Sequence, residues 1–159
     1  EAQEKIAVLN NTAMVNIMDV GDAKDLHPKN KKPIGLRLAA TALNRTYGQH
    51  KVTYQSPKYN YVIFEKNSAT IHFIPETWGT GLNTNDGAVP KFFYIAGEDQ
   101  FFYPAIATIK NNTVVVSSKR VKHPKAVRYA FFNYPVTNLQ NKEGFPVLPF
   151  RTDYWPETK

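Results

Sequence analysis

The spacing of hydrophobic positions along the chain changes near residue 50. Before that point, apolar residues recur at intervals of three and four between Pro33 and Tyr47, which is typical of an α-helix. From residue 51 onward, apolar and polar residues alternate in short runs, which is typical of half-buried β-strands. We therefore predict an α/β segment over residues 1–50, followed by an antiparallel β-sandwich over residues 51–159 with an extended C-terminal loop.

The first 50 residues predict a helix, a strand, a loop and a second helix. A short helical piece spans Glu1–Leu9, and the mostly apolar run Ala13–Val20 is typical of a buried strand of a parallel sheet. The polar loop Gly21–Pro28 follows, and then a helix with Pro33 in its first turn and Gly48 as a C-terminal cap. One strand–loop–helix unit does not close a parallel sheet, so we expect the remaining strands to lie upstream of residue 1.

The rest of the chain predicts strands at regular intervals, separated by turn residues. The turns are expected at Lys66–Ser68 and Lys110–Asn112, and after Pro135 the alternation is lost in a loop packed by aromatic residues. The predicted strands are Tyr59–Phe64, Thr70–Ile74, Lys91–Ala96, Tyr103–Ile109, Thr113–Ser117 and Ala126–Phe131. This arrangement favours a sandwich of antiparallel sheets.

The amino-acid composition limits the classes of function that this chain could have. The chain has 20 Lys and Arg against 13 Asp and Glu, a net charge of +7 that favours anionic partners in general. No zinc finger, basic zipper or RNA-binding aromatic pattern accompanies this charge, so we expect no nucleic-acid partner. The sequence has no Cys, which excludes thiolate catalysis, and no apolar run approaches the ~20 residues of a membrane-spanning helix.

His27 is the strongest candidate for chemistry among the four histidines. It lies in the loop between the predicted strand and helix, an edge where α/β sheets place their functional groups, and Asp22 and Asp25 precede it. A catalytic histidine needs a carboxylate acceptor that fixes its tautomer and stabilises the imidazolium. None of the four serines (Ser56, Ser68, Ser117 and Ser118) lies in a nucleophile elbow. If His27 is a general base, its serine lies outside this chain.

Several short strings resemble the sialate O-acetylesterases, which are secreted or periplasmic serine esterases of the SGNH type. The resemblance covers nearly the whole chain and is most specific at Asp25–Lys31, at Ala96–Asp99 within the string Phe93–Asp99, and at Pro149–Asp153. The other strings are Met18–Asp22, Gly35–Ala39, Gly79–Leu82, Phe102–Ala105, Val114–Ser118, Ala126–Ala130 and Asn141–Gly144. By this resemblance the chain is the C-terminal portion of such an enzyme.

The resemblance implies that His27 is the general base of the esterase. The usual Asp-x-x-His spacing of the SGNH enzymes would place the acid at position 24, where this sequence has Lys24. Asp25 is therefore the first candidate for the orienting acid and Asp22 the second. A Ser–His dyad supported by a backbone carbonyl is the third possibility.

The implied reaction removes an acetyl ester from a hydroxyl of sialic acid or a related sugar, without a metal or organic cofactor. The implied partners are the acetylated sugar and the rest of the hydrolase domain, and the implied location is secreted or periplasmic. An alternative hypothesis is a non-catalytic, carbohydrate-binding β-sandwich, in which exposed aromatic rings stack on sugars. The candidate rings are Tyr59, Tyr61, Trp78, Tyr134, Tyr154 and Trp155.

Overall fold

The computed structural model describes residues 2–156. Within this range it has the helices α1 (Ala2–Ile6) and α2 (Lys32–Arg45), a 3-10 turn at Pro75–Thr77 and ten short β-strands. The strands are β1 (Tyr59–Phe64), β2 (Ala69–Phe73), β3 (Leu82–Thr84), β4 (Phe93–Ala96), β5 (Tyr103–Pro104), β6 (Ile106–Lys110), β7 (Thr113–Ser117), β8 (Ala126–Tyr129), β9 (Leu139–Asn141) and β10 (Phe150–Arg151).

The strands form two four-stranded antiparallel sheets and one small ladder. The first sheet has the order β1-β2-β7-β6, the second has the order β10-β8-β4-β5, and β3 pairs with β9. This confirms the antiparallel β-sandwich predicted for the region after residue 50. The domain boundary between residues 50 and 51 stays a prediction.

The core lies between the two sheets because one face of each strand is apolar. Along β2 and β7 every second residue is buried, so Ile71, Val114 and Val116 are fully enclosed. They share a core with Ile95 and Val127 of the second sheet, which are also fully enclosed. Burying each of these side chains contributes roughly 1.5–3 kcal/mol, and their alternation fixes the register of the strands.

The predicted turn at Lys110–Asn112 is confirmed, and its sequence explains its shape. Asn111 and Asn112 have φ values of 46° and 61°, both in the left-handed region. Asparagine tolerates this region better than most residues, and two such residues in succession suit a two-residue hairpin turn. The turn therefore joins β6 to β7 with the twist that the sheet requires.

The six predicted strand runs all contain strands, with one division that the sequence did not reveal. The run Tyr103–Ile109 splits at Ala105, because β5 pairs with β4 in the second sheet and β6 pairs with β7 in the first. The chain crosses from one sheet to the other at this point. The loop predicted after Pro135 contains β9 and β10, whose three and two residues are too few to show alternation.

The predicted strand Ala13–Val20 was wrong. Residues 12–17 form no ladder with any described strand, and residues 18–20 form a turn. An apolar run becomes a strand only where a neighbouring strand takes up its backbone hydrogen bonds, and no described strand lies beside this one. The helical predictions on either side are confirmed by α1 and α2, and Gly48 follows α2 with a φ of 70°.

Phe150 lies at the centre of an aromatic cluster that joins the two sheets. Its ring centroid is 4.9 Å from that of Tyr59 and 5.7 Å from that of Tyr129, and it meets Phe73 and Phe93 edge-on at 6.2 and 6.3 Å. Because Phe150 is 6 % exposed, its removal leaves a cavity that the surrounding rings do not fill.

We expect Phe150→Ala to lower the free energy of unfolding by about 3–5 kcal/mol. Tyr154→Ala is the matched control, because Tyr154 is 97 % exposed and its substitution should cost less than about 0.5 kcal/mol. Urea denaturation measures both variants. Equal losses in the two variants would contradict this account of the core.

A second prediction concerns Asp86, whose carboxylate closes the loop between β3 and β4. It accepts hydrogen bonds from the Lys91 ammonium at 2.6 Å, the Asn138 amide at 2.8 Å and the Ala88 N–H at 3.1 Å. These bonds, the one from Lys91 above all, lower the pKa of Asp86 from 3.8 to about 2. The ionised form is thus favoured in the folded protein, and its contribution is present above pH 3.8 and lost as the pH falls toward 2.

Asp86→Asn should therefore remove part of the loss of stability that the native chain shows between about pH 4 and pH 2. Urea midpoints measured at several pH values through this window test the expectation. All other carboxylates are common to the two proteins, so the difference between their curves isolates Asp86. Parallel curves would contradict the assigned role.

Candidate functional site

The loop before α2 holds Asp25 and His27 together. The backbone N–H of His27 donates to Asp25 Oδ1 at 2.8 Å, and His27 Nδ1 lies 3.4 Å from the same oxygen. The His27 side chain is 83 % exposed and the Asp25 side chain is 47 % exposed. One carboxylate thus holds the local backbone and faces the imidazole, while the ring stays open to a group from outside this chain.

Asp22 and Asp19 have other partners. Asp22 Oδ1 accepts the backbone N–H of Lys24 at 2.9 Å and so closes the first turn of the loop. Asp19 forms a bidentate ion pair with Arg37. Of the two candidate acids, the structure brings Asp25 to His27, and the catalytic roles of these residues stay predictions.

Arg37 is the residue that ties the loop region to the sandwich. Its guanidinium donates to both carboxylate oxygens of Asp19 at 2.7 Å, and to the carbonyl oxygens of Asn16 and Gly144 at 2.8 Å each. The Arg37 side chain is 6 % exposed. Four of the five guanidinium N–H groups are therefore used in a buried position, and they join α2, the segment before the His27 loop, and the β9–β10 connection.

Asn16 reinforces the same junction. Its side-chain amide donates to the carbonyl oxygens of Pro146 and Val147 at 3.3 and 3.2 Å, and its Oδ1 accepts the N–H of Met18 at 3.1 Å. These side-chain hydrogen bonds pair with backbone N–H and C=O groups that have no strand partner here, because the predicted strand is not formed. Sequence reasoning missed both Arg37 and Asn16, because a single polar residue in an apolar stretch gives no local signal of a hydrogen-bond partner that is distant in sequence.

Helix α2 buries an unexpected face. Its buried residues are Arg37 and Thr41, whereas Leu36 and Leu38, two of the residues that define its apolar period, are 60 % and 54 % exposed. Tyr47, just after the helix, is 72 % exposed. Part of the apolar pattern that predicted this helix therefore lies on the surface of this chain, whereas Ile34 and Leu43 are partly buried.

A groove of about 780 Å³ lies between residues 14–18 and the loop 130–135. Gly21 lines this groove, and the hydroxyl of Tyr134 donates to its carbonyl oxygen at 2.7 Å. This bond links the sandwich to the start of the loop that carries His27.

The other histidines and the serines lie elsewhere. His50 and His123 are exposed, and His72 of β2 stacks on Tyr61 of β1 with ring centroids 4.3 Å apart. Ser68 donates to Glu65 in the turn between β1 and β2, Ser56 is buried and Ser117 ends β7. Ser118 follows in a bridge with Val121.

Three of the six aromatic residues considered for sugar binding serve other purposes. Tyr59 and Trp78 are partly buried against the core, and Trp155 packs on Phe102 with ring centroids 5.8 Å apart. Tyr61, Tyr134 and Tyr154 remain exposed, and of these Tyr134 lines the groove.

Residues 2–156 contain no group of three or more His, Asp or Glu side chains arranged to hold a metal ion. Over the same residues, neither helix has the length and apolar character needed to cross a membrane.

The fold is thus an antiparallel β-sandwich joined to a loop and helix that carry an Asp–His pair. It is similar to the crystal structure of a carbohydrate acetylesterase from Xanthomonas citri, with a TM-score of 0.89 and 38 % sequence identity. The match covers 97 % of this chain and 35 % of that protein. No family model and no curated protein matches the chain. The chain spans about a third of this neighbour's length.

The Arg37 network leads to a prediction about stability. Arg37→Met should lower the free energy of unfolding by about 3–5 kcal/mol, because it leaves Asp19 partly buried without its counter-charge. Lys32→Met is the matched control on the exposed surface of the same helix and should cost less than about 0.5 kcal/mol. Urea denaturation measures both. A small loss for Arg37→Met would show that the junction depends on other contacts.

Proposed function

We propose that this chain forms part of a serine esterase that removes O-acetyl groups from sugars, and that His27 is its general base. The observation that carries the proposal is the 38 % identity, over 97 % of the chain, to a carbohydrate acetylesterase. The Asp25–His27 pair supports the assignment of the base, because its geometry suits a histidine that must be oriented on one side and accessible on the other.

The chemistry divides between His27 and a serine supplied by another segment. His27 removes the proton from the serine hydroxyl as its oxygen attacks the acetyl carbonyl, and the resulting imidazolium is stabilised by the Asp25 carboxylate. When the tetrahedral intermediate collapses, the bond to the sugar oxygen breaks and His27 returns the proton to that oxygen. Water then attacks the acetyl-serine by the same route and releases acetate.

The exposed apolar side of α2 supports a partner for this chain in the same protein. Leu36 and Ala39, three positions apart and so on one face of the helix that directly follows the His27 loop, are exposed, and Tyr47 just beyond the helix is 72 % exposed. We infer that the rest of a hydrolase domain covers this side and brings the serine and the oxyanion-binding groups to His27. Apolar surface on the helix next to the candidate base gives such a domain both a place to pack and a fixed distance to the imidazole.

The sugar is a finer part of the proposal. The sequence resemblance points to sialic acid, which is an anion, and the net charge of +7 favours its approach. The similar structure is that of a carbohydrate acetylesterase. We therefore propose an acetylated sugar as the substrate class, with acetylated sialic acid as one member to test. Secretion or a periplasmic location would be consistent with such a substrate.

The test is His27→Ala in the full-length protein, assayed with 4-nitrophenyl acetate and with acetylated sugars. We expect kcat to fall about 10⁴-fold, the usual scale for loss of a member of a catalytic triad. Asp25→Asn should also lower kcat, whereas Asp22→Asn should not, since Asp22 bonds the backbone of Lys24.

The matched control is His50→Ala, an exposed histidine just beyond α2, which should keep the activity of the native protein. Equal turnover by the native protein and His27→Ala would reject His27 as the base. A loss with Asp22→Asn but not with Asp25→Asn would reassign the acid.

A further inference from the structure

The groove between residues 14–18 and the loop 130–135 has a volume of about 780 Å³, which falls in the range of ordinary ligand sites, roughly 300–1,000 Å³. One wall comes from the segment before the His27 loop and the other from the sandwich. Both parts of the chain therefore contribute to it.

The sandwich wall is set by unusual backbone. Phe92 and Ala130 have φ values of 63° and 54°, a left-handed conformation that is rare for any residue with a side chain and most unfavourable for a bulky one. Ala130 N–H donates to the Phe92 carbonyl at 3.0 Å, and Phe132 N–H donates to the Ala130 carbonyl at 3.0 Å. These bonds turn the chain out of β8 into the groove wall. Backbone strain of this kind is concentrated at ligand sites.

The strained turn presents two half-exposed aromatic rings. Phe132 is 51 % exposed and rests on Phe92 and Tyr94, with ring centroids 6.1 and 5.0 Å away. Tyr134 is 44 % exposed and is held by its hydroxyl bond to Gly21. Each ring is fixed by its neighbours yet open to solvent, which suits a ligand with an apolar face and polar edges. Sugar rings have this character.

The charges that line the groove do not suit an anion. Within residues 2–156, Arg128 is the one Lys or Arg that lines the groove. Its guanidinium is bound to both oxygens of Asp153 at 3.0 and 2.7 Å and stacks on Phe102. The other charged side chain in this described part of the lining is Glu4, whose carboxylate lies 4.0 Å from the Lys58 ammonium.

We propose that this groove binds the uncharged sugar chain that carries the acetyl ester, with Phe132 and Tyr134 as the rings on which the sugars stack. This inference rests on the proposed esterase function. Gly21 lines the groove and lies six residues before His27, so its Cα is within about 22 Å of the Cα of His27 even if the loop were fully extended. A chain of a few sugar units spans that distance.

Binding of xylohexaose and cellohexaose to the chain, measured by calorimetry, tests the proposal without any need for catalysis. Phe132→Ala and Tyr134→Ala should each weaken binding about tenfold or more, the usual scale for a central aromatic contact. Tyr134→Phe keeps the ring and should bind as the native chain does. Phe101→Ala is the matched control, since this ring is 67 % exposed and lies outside the groove.

Phe132→Leu guards against misfolding, because it keeps an apolar side chain against Phe92 and Tyr94 but removes the flat ring. A folded Phe132→Leu variant that binds the hexasaccharides as well as the native chain would overturn the proposal. So would the absence of hexasaccharide binding by the native chain at millimolar concentration. Tighter binding of hexagalacturonate, lost on Tyr134→Ala, would show that the groove is built for anions and would equally overturn it.

The result is distinguishable from the outcome of the esterase test. If His27→Ala has no effect on 4-nitrophenyl acetate hydrolysis but the groove variants lose hexasaccharide binding, the esterase assignment fails and the groove remains a sugar site. If His27→Ala abolishes hydrolysis while the groove variants bind normally, the groove assignment fails alone.

Discussion

The position of the candidate base depends on one buried guanidinium. Arg37 joins the helix, the segment that leads into the His27 loop and the β9–β10 connection through four hydrogen bonds. A charge in this position is stable only while all its partners stay in place, because the cost of removing it from water is high. The ion pair with Asp19 therefore holds α2 to the segment before the loop, and the bond to the Gly144 carbonyl joins both to the sandwich.

The sandwich is stabilised mainly by burial of apolar side chains, whereas its junction with the N-terminal segment is formed by hydrogen bonds. Between the sheets, alternating apolar residues and the rings around Phe150 supply non-directional stabilisation. At the junction, directional bonds from Arg37, Asn16 and Tyr134 determine which atoms lie next to one another. A site formed by both the sandwich and the N-terminal segment is thus made rigid by the apolar core, and its atoms are positioned by the polar contacts at the junction.

Sequence patterns predicted the sandwich well because its strands are long enough to show a period. The strands β1 and β7 have the predicted bounds, while β9 and β10 are too short to be seen. The error at Ala13–Val20 has a tertiary cause, since hydrophobicity marks a segment for burial but does not supply a hydrogen-bonding neighbour. The Asp25–His27 contact could be predicted because the two residues are local in sequence. The Arg37 and Tyr134 contacts join residues 107 and 113 positions apart, and no local pattern encodes such a distance.

The edge strands of the two sheets differ in how many unpaired backbone N–H and C=O groups they expose. The outer strands β5 and β10 have only two residues each, and Pro104 in β5 has no N–H to offer. The outer strand β1 has six residues and carries Tyr61, Ile63 and Phe64 on exposed positions, although a register shift between Tyr59 and Tyr61 interrupts its ladder. Short edges and proline oppose the addition of a foreign strand, whereas a long apolar edge invites it. The other outer strand of this sheet, β6, has five residues and an exposed Ile106. When copies of this chain are concentrated, β1 and β6 are accordingly the edges along which they would begin to aggregate.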